Sequence, residues 1–263
     1  MKKKLVSALL LSLVLSMSLF AWGCGTTEDE EATITIAAAA SLQNVLEDEI
    51  IPAFNEAHPN ITVQGTFDSS GNLQTQIEQG AEIDLFFSAA LKQMDALTTG
   101  GFVTEGEAVN LLENEIVLVA GSDQDVSNFT KFEDIVNADT IALGDPASVP
   151  AGTYAKESLT NLKLWDTVQS KKISLGTNVS QVLGWVSEGS AQVGIVYNTD
   201  ALSMPDKVQI IGKAPADSVS KCIYPVAVLT ATKQATASKI FLDFLESDEA
   251  LTIFESFGFK VSE

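Results

Sequence analysis

The sequence predicts an α/β fold built from open sheets. Strand and helix patterns alternate along the chain, which is typical of that class. The predicted strands are nearly continuous apolar runs, as expected for parallel strands covered on both faces. Strand patterns cover residues 33–38, 61–67, 84–88, 116–120, 140–143, 172–175, 193–197, 208–211 and 223–230. Helical periodicity covers residues 42–58, 73–79, 91–98, 153–162, 180–187, 237–246 and 248–257.

The first residues read as a targeting segment. Three lysines at 2–4 precede an almost unbroken apolar run over 5–20, which is short of the roughly 20 residues that a membrane span needs. Residues 1–23 are therefore predicted to be a signal peptide. Cys24 stands where a bacterial lipoprotein precursor is cut and acylated, so residues 24–32 are expected to be a lipid anchor with an acidic tether. The alternative is an ordinary secretory signal in which Cys24 is incidental.

Composition excludes several classes of partner. The formal net charge is −20 and the 263 residues include no arginine. Without a basic patch to release counterions, nucleic acid and anionic membrane surfaces are unsuitable partners. Cys222 is the only other cysteine, so no internal disulfide is expected once Cys24 is acylated. The negative charge also disfavours long-range attraction of anions, so an anion site would have to rely on short-range hydrogen bonds.

Two apolar stretches, at residues 115–120 and 224–229, are interpreted as crossings between two lobes. The first lobe is then predicted to comprise residues 33–117 and 225–263, and the second residues 118–224. A ligand in such a fold lies outside the carboxyl ends of the strands, in the cleft between the lobes.

Several predicted strands end in small or hydroxyl residues that open a helix. Ser41 follows four alanines, and Ser70 lies in a Ser69-Ser70-Gly71 turn. A helix start exposes unpaired N–H groups and the positive end of the helix dipole, which suits an anion. The competing interpretation is ordinary helix capping by these serines, worth roughly 1 kcal/mol each.

Three candidates come from the middle of the chain. Ala151 follows Pro150 at the start of a predicted helix, and Val179 opens another, so both offer backbone N–H groups. Tyr197 ends an apolar strand, where its hydroxyl is either satisfied locally or donated to an anion. Each of these positions is unremarkable by itself.

Enzymatic interpretations find little support, and no catalytic residue is predicted. The single histidine, His58, lies at a predicted helix end with no recognisable nucleophile or zinc motif around it. The carboxylates of Asp68, Asp84 and Asp145 match no catalytic template. Two alternatives stay open: a secreted hydrolase using Ser41 or Ser70, and a surface interaction module without a small ligand.

Taken together and in order, the motifs resemble the substrate-binding proteins of molybdate ABC transporters. The resemblance covers nearly the whole chain after the tether. It implies a two-lobe, periplasmic-binding-protein-like fold of type II with two crossing segments and the ligand in the interlobe cleft. The motifs are Ala-Ala-Ala-Ser-Leu at 38–42, Phe-Asp-Ser-Ser-Gly at 67–71, Asp-Leu-Phe-Phe-Ser-Ala at 84–89, Gly-Asp-Pro at 144–146, Val-Pro-Ala-Gly at 149–152, Ala-Lys-Glu at 155–157, Gly-Ile-Val-Tyr at 194–197 and Tyr-Pro-Val at 224–226.

The same resemblance implies the site and the partners. Molybdate or tungstate would be held by Ser41, Ser70, Ala151, Val179 and Tyr197, and molybdenum would be present only as the centre of the bound anion. A receptor for another tetrahedral oxyanion such as sulfate is the alternative. No cofactor is expected, and the partners are an ABC permease and, through the lipid anchor, the membrane. The expected state is a monomer on the outer face of the cell membrane, or in the periplasm of a cell with an outer membrane.

Overall fold

The structure is a computed structural model, and its described residues are 31–262. The predicted signal peptide, Cys24 and most of the predicted tether lie outside these residues. The first strand begins at Ala32, the last residue of the predicted tether and one residue before the predicted start of the strand. Everything from Ala32 onward belongs to one unit of the chain.

Eleven strands are found among the described residues, and most of them lie within one or two residues of the predicted ranges. They are β1 (Ala32–Ala39), β2 (Ile61–Asp68), β3 (Leu85–Phe87), β4 (Val109–Asn114), β5 (Ile116–Gly121), β6 (Thr140–Gly144), β7 (Lys172–Gly176), β8 (Val193–Tyr197), β9 (Val208–Lys213), β10 (Cys222–Val228) and β11 (Lys260–Val261).

The helices begin with a continuous helical run over 40–57, here α1. It contains a 3₁₀ turn at Ala40–Leu42 and a π-helical turn at Leu46–Ile50. The others are α2 (Ser70–Glu78), α3 (Leu91–Thr99), α4 (Pro150–Asn161), α5 (Trp165–Gln169), α6 (Val179–Ser187), α7 (Asn198–Ser203), α8 (Ala235–Leu245) and α9 (Asp248–Ser256), with a 3₁₀ helix at Phe132–Asn137.

The strands form two mixed sheets. The first has the order β11-β4-β10-β3-β1-β2, and the second has the order β7-β6-β8-β5-β9. β1 is parallel to β2 and β3, and β6 is parallel to β7 and β8. β10 runs antiparallel to β3 and β4, as β5 does to β8 and β9. The prediction of parallel strands is thus wrong for β5, β9 and β10, because an apolar run records burial on both faces and not direction.

The chain passes between the sheets twice. It leaves the first sheet at Glu115, between β4 and β5, and it returns between Lys213 and Cys222. The predicted lobe boundaries after Val117 and after Tyr224 therefore each fall inside a strand. An apolar strand sequence does not indicate which of two sheets the strand joins.

Strand register brings three loop starts together at one edge of the first sheet. Ala39 at the end of β1 pairs with Asp68 at the end of β2, and Ala38 pairs with Phe87 at the end of β3. The residues that follow these three strands are consequently neighbours. In the second sheet Gly144 pairs with Gly176, so the loops that lead to α4 and α6 also leave the sheet side by side.

An aromatic row joins the two sheets. Tyr197 of β8 packs edge-on against Tyr224 of β10, with 5.5 Å between the ring centroids. Tyr224 contacts Phe259, which contacts Phe254, which in turn contacts Phe87 of β3, all at 5.5–6.1 Å. Pairs of this geometry contribute about 0.5–1.5 kcal/mol each beyond their burial. The row fixes the second sheet's Tyr197 against the core of the first.

Helix α4 packs tightly on β6 because Gly152 has no side chain. A Cβ atom built on Gly152 would overlap the carbonyl oxygen of Gly144, whereas one built on Gly184 of α6 meets nothing within 4 Å. An added methyl group should therefore be unfavourable at position 152 and tolerated at position 184.

We expect Gly152→Ala to lower the free energy of unfolding by about 1–3 kcal/mol, the usual cost of overpacking a filled core. Gly184→Ala is the matched control, and it should stabilise by up to ~1 kcal/mol through helix propensity. Urea unfolding of both variants measures the difference. Equal unfolding midpoints for Gly152→Ala and the parent protein would contradict this packing.

Candidate functional site

Ser70 opens α2 at the edge of the first sheet and is fully buried. Helix capping is done by its neighbour, because the Ser69 hydroxyl accepts the N–H of Asn72 at 3.3 Å. The Ser70 Oγ instead accepts the N–H of Ala89 at 2.9 Å. A backbone N–H can only donate, so the Ser70 hydroxyl proton is left for another acceptor.

Ser41 is half-buried in the first turn of α1 and does not cap it, since the N-cap position is Ala39 and has no side-chain bond. Its Oγ lies 2.9 Å from the phenol oxygen of Tyr224. The capping interpretation is therefore wrong for Ser41, whereas the Ser69-Ser70-Gly71 turn does contain a cap, at Ser69 and not at Ser70. The hydroxyls of Ser41 and Ser70 contact different partners at the same sheet edge.

Ala151 and Val179 lie at the corresponding edge of the second sheet. Val179 is the first residue of α6 and Ala151 the second of α4, and both are buried. The α6 cap is Asn178, whose side chain accepts the N–H of Gln181 at 3.0 Å. Among the described residues, no acceptor lies within hydrogen-bond range of the N–H groups of Ser70, Ala151 or Val179. Unpaired first-turn N–H groups are what a helix start provides.

Tyr197 reaches from the second sheet to the first. Its side chain is buried, and its hydroxyl donates to the carbonyl oxygen of Ala89 at 3.4 Å, longer than the usual 2.5–3.0 Å. Burial raises the pKa of the phenol well above its ordinary value, so the hydroxyl keeps its proton at neutral pH. Ser70 and Tyr197 thus both bond the backbone of Ala89, Ser70 at its N–H and Tyr197 at its carbonyl oxygen.

Two direct hydrogen bonds hold the sheet edges together. The N–H of Gly71 donates to the carbonyl of Ser148 at 3.0 Å, and the side-chain amide of Asn178 donates to the Asp68 carboxylate at 3.3 Å. These contacts place the start of α2 beside the loop that leads into α4 and the cap of α6. Four of the five predicted residues therefore surround one region, and Ser41 is linked to it through Tyr224 and Tyr197.

The chemistry of this region is that of uncharged donors. One buried carboxyl, Asp200, lies against Tyr197 and accepts its backbone N–H at 3.0 Å. Burial raises the pKa of Asp200 to about 7, although that hydrogen bond opposes the change. The carboxyl is therefore only partly ionised at neutral pH, and its contact holds the backbone of Tyr197 in place.

The hydrolase interpretation requires a general base near its serine, and His58 is too far from Ser41 to be that base. His58 packs on Phe54, with 4.7 Å between ring centroids, at the far end of α1. Seventeen residues of helix at 1.5 Å each separate it from Ser41 by roughly 25 Å. No proton transfer can connect the two side chains over that distance.

Several residues at this site were not predicted as site residues. Ala89 contacts both Ser70 and Tyr197, and Tyr224 contacts Ser41, yet both lie in motifs that the sequence analysis had noted. Tyr224 carried the same signal as Tyr197, a phenol in an apolar strand. Asn114 and Thr199, whose side chains bond each other at 2.9 Å, carried no signal because β4 and α7 were not predicted.

Over residues 31–262, no three His, Cys, Asp or Glu side chains are grouped so that they could hold a metal ion. None of the helices in that range has the length and apolar character that crossing a membrane requires.

Comparison with known proteins assigns the family. The family model "Bacterial extracellular solute-binding protein" matches residues 34–260. The chain is 45% identical to "Putative ABC transporter substrate-binding lipoprotein YvgL" of Bacillus subtilis (strain 168), over 89% of this chain and 88% of that one. It is 37% identical to the molybdate-binding protein ModA of Escherichia coli (strain K12), over 90% and 92% respectively.

The fold also matches a solved structure. The Azotobacter vinelandii periplasmic molybdate-binding protein superposes with a TM-score of 0.78 at 19% identity, covering 88% of this chain and all of that one. The predicted two-lobe type II fold is confirmed, and so is the family that the motifs resemble. The chain belongs to the bacterial extracellular solute-binding proteins, in the family of substrate-binding proteins of molybdate ABC transporters.

Proposed function

We propose that this protein captures molybdate, and also tungstate, outside the cytoplasm and delivers it to an ABC permease. The observation that carries the proposal is the convergence of uncharged donors from two facing sheet edges onto one buried region. The identity to the Escherichia coli molybdate-binding protein supports the choice of ligand. The proposed role is binding and release, without a chemical step.

Each of the five residues has a defined part in this proposal. Ser41 and Ser70 donate their hydroxyl protons from the first lobe, Ala151 and Val179 donate backbone N–H groups from the second, and Tyr197 donates its phenol proton. Hydrogen bonds to a charged acceptor contribute roughly 1.5–3 kcal/mol each, and a helix start adds up to ~2 kcal/mol. Several such donors together can offset the desolvation of a dianion and the cost of association.

Neutral donors also suit a carrier that must give up its cargo. Without an opposing full charge, opening of the lobes separates the donors and removes most of the binding energy at once. Fixed backbone donors favour the larger tetrahedral anions, since a smaller one such as sulfate leaves stretched bonds. A sulfate receptor is the second candidate, because sulfate is also a dianion without a proton.

We further propose that the two sheets belong to two lobes that close over the anion as a monomer, and that closure signals the loaded state to the permease. The Gly71–Ser148 and Asp68–Asn178 hydrogen bonds are the contacts that closure would form. We propose that Cys24 carries a lipid that anchors the protein to the outer face of the membrane.

Calorimetric titration of residues 32–263 with molybdate, tungstate, sulfate and phosphate tests the function. We expect strong binding of molybdate and tungstate, weaker binding of sulfate and the weakest binding of phosphate. Sulfate as the tightest ligand would favour the second candidate. If none of the four anions produces heat or raises the melting temperature, the proposed function is wrong.

We expect Tyr197→Phe to weaken molybdate binding by roughly 1.5–3 kcal/mol, which is the loss of one bond to a charged acceptor. Tyr154→Phe is the matched control, since it removes a buried phenol from α4 that has no assigned part in the site. Equal molybdate affinities for the two variants, measured by titration, would exclude the Tyr197 hydroxyl from the site.

Gly71→Ala tests closure. A Cβ atom on Gly71 would overlap the backbone of Ser148, which belongs to the other sheet's edge. The substitution should therefore oppose the closed arrangement and weaken molybdate binding about 10- to 100-fold, by the usual cost of overpacking. The melting temperature without ligand should change little. A loss of unliganded stability as large as that of Gly152→Ala would instead mark the contact as part of a rigid core.

Replacement of the proposed lipid attachment site is expected to change where the protein is found. Cys24→Ala should release the protein from the membrane fraction into the medium or the periplasm, because the acyl chains are lost. Immunoblots of separated fractions measure this. A variant that stays in the membrane fraction would show that another segment anchors the chain.

A further inference from the structure

A buried line of hydrogen bonds leads from the backbone of Glu115 to Ser41. The Glu115 N–H donates to Asn114 Oδ1 at 2.8 Å. Asn114 Nδ2 donates to Thr199 Oγ1 at 2.9 Å and to the phenol oxygen of Tyr224 at 3.3 Å. The Tyr224 phenol lies 2.9 Å from Ser41 Oγ. Asn114, Thr199 and Tyr224 are all buried, so water does not compete for these groups.

The direction of every bond in this line follows from its first member. A backbone N–H is always a donor, so Asn114 Oδ1 is the acceptor and Nδ2 is the donor. The Tyr224 phenol has two partners among the described residues, and Asn114 Nδ2 can only donate, so Ser41 Oγ is the partner that can accept its proton. Burial raises the pKa of Tyr224 well above its ordinary value, so that proton is present. The Ser41 hydroxyl, which then accepts from Tyr224, has its own proton free.

We propose that Asn114 and Tyr224 are positioning residues that fix the Ser41 hydroxyl as a donor toward the ligand, and that they thereby select oxyanions that carry no proton. The inference rests on the proposed function, because it assumes that Ser41 contacts the bound anion. The Ala89 N–H donates to Ser70 Oγ and so fixes the Ser70 hydroxyl as a donor toward the ligand as well. Ala151 and Val179 contribute N–H groups, which cannot accept.

A substitution at Asn114 can therefore change the Ser41 hydroxyl from a donor into an acceptor toward the ligand. Phosphate and arsenate carry a proton near neutral pH, and this proton needs an acceptor. Molybdate has none. A site that presents donors only leaves the proton of phosphate facing another donor, which costs a bond and adds repulsion.

Asn114→Asp tests the inference, because aspartate has the same shape. One carboxylate oxygen still accepts the Glu115 N–H, but the other can only accept, so Tyr224 turns its proton toward it. The Tyr224 oxygen then accepts from Ser41, and Ser41 presents a lone pair to the ligand. At pH 8, chosen to favour the ionised carboxylate, we expect the ratio of phosphate to molybdate dissociation constants to fall about tenfold or more.

Two controls separate this effect from added charge and from misfolding. Asn110→Asp puts the same charge on an exposed position of β4 and should leave the ratio unchanged. Tyr224→Phe removes the link itself, so Ser41 can turn to accept and the ratio should again fall. Tyr224→Phe also tests the inference if Asn114→Asp does not fold.

The outcomes are distinct. If the parent protein binds no oxyanion, the proposed function fails. If the parent binds molybdate but Asn114→Asp weakens both anions equally, the aspartate acts through its charge alone and this inference is wrong. A ratio unchanged in both Asn114→Asp and Tyr224→Phe, with molybdate binding intact, overturns the inference and leaves the proposed function standing.

Discussion

The structure depends on a property of helix starts: their first N–H groups have no partner within the helix. In this chain the starts of α2, α4 and α6 leave two sheets at edges that face each other. The hydroxyls of Ser70 and Tyr197 lie between these edges, and both bond the backbone of Ala89. The result is a concentration of positive partial charge in a chain whose net charge is −20. Short-range dipoles can therefore attract an anion that the overall charge repels.

Much of the fold was predictable because each strand and long helix has its own local pattern. The ends of β1, β2, β6 and β8 were found within a residue or so, and these ends determine where the site lies. Strand direction was not predictable, since β5 and β10 are buried on both faces and read the same in either direction. β4 was missed because its sequence, Val-Asn-Leu-Leu-Glu-Asn, mixes polar and apolar residues without a clear alternation.

The proposed site residues were chosen from local signals, whereas the contacts between them could not be predicted. Ser41, Ser70, Ala151 and Val179 follow strands, and Tyr197 ends one. Their supporting contacts join residues far apart in the chain, such as Ser41 with Tyr224 and Asn114 with Thr199. Such pairs depend on how the two sheets meet, and no single segment contains that information. The same limit explains why capping was overestimated for Ser41.

Ala89 links the two halves of the molecule by two hydrogen bonds of unequal length. Its N–H donates to Ser70 Oγ within one half at 2.9 Å, while its carbonyl accepts the 3.4 Å bond from Tyr197 of the other. If Tyr197 donates to a bound anion, as we propose, its phenol exchanges a long bond to a neutral oxygen for a bond to a charged one. The buried hydroxyl then has an acceptor both before and after the anion binds.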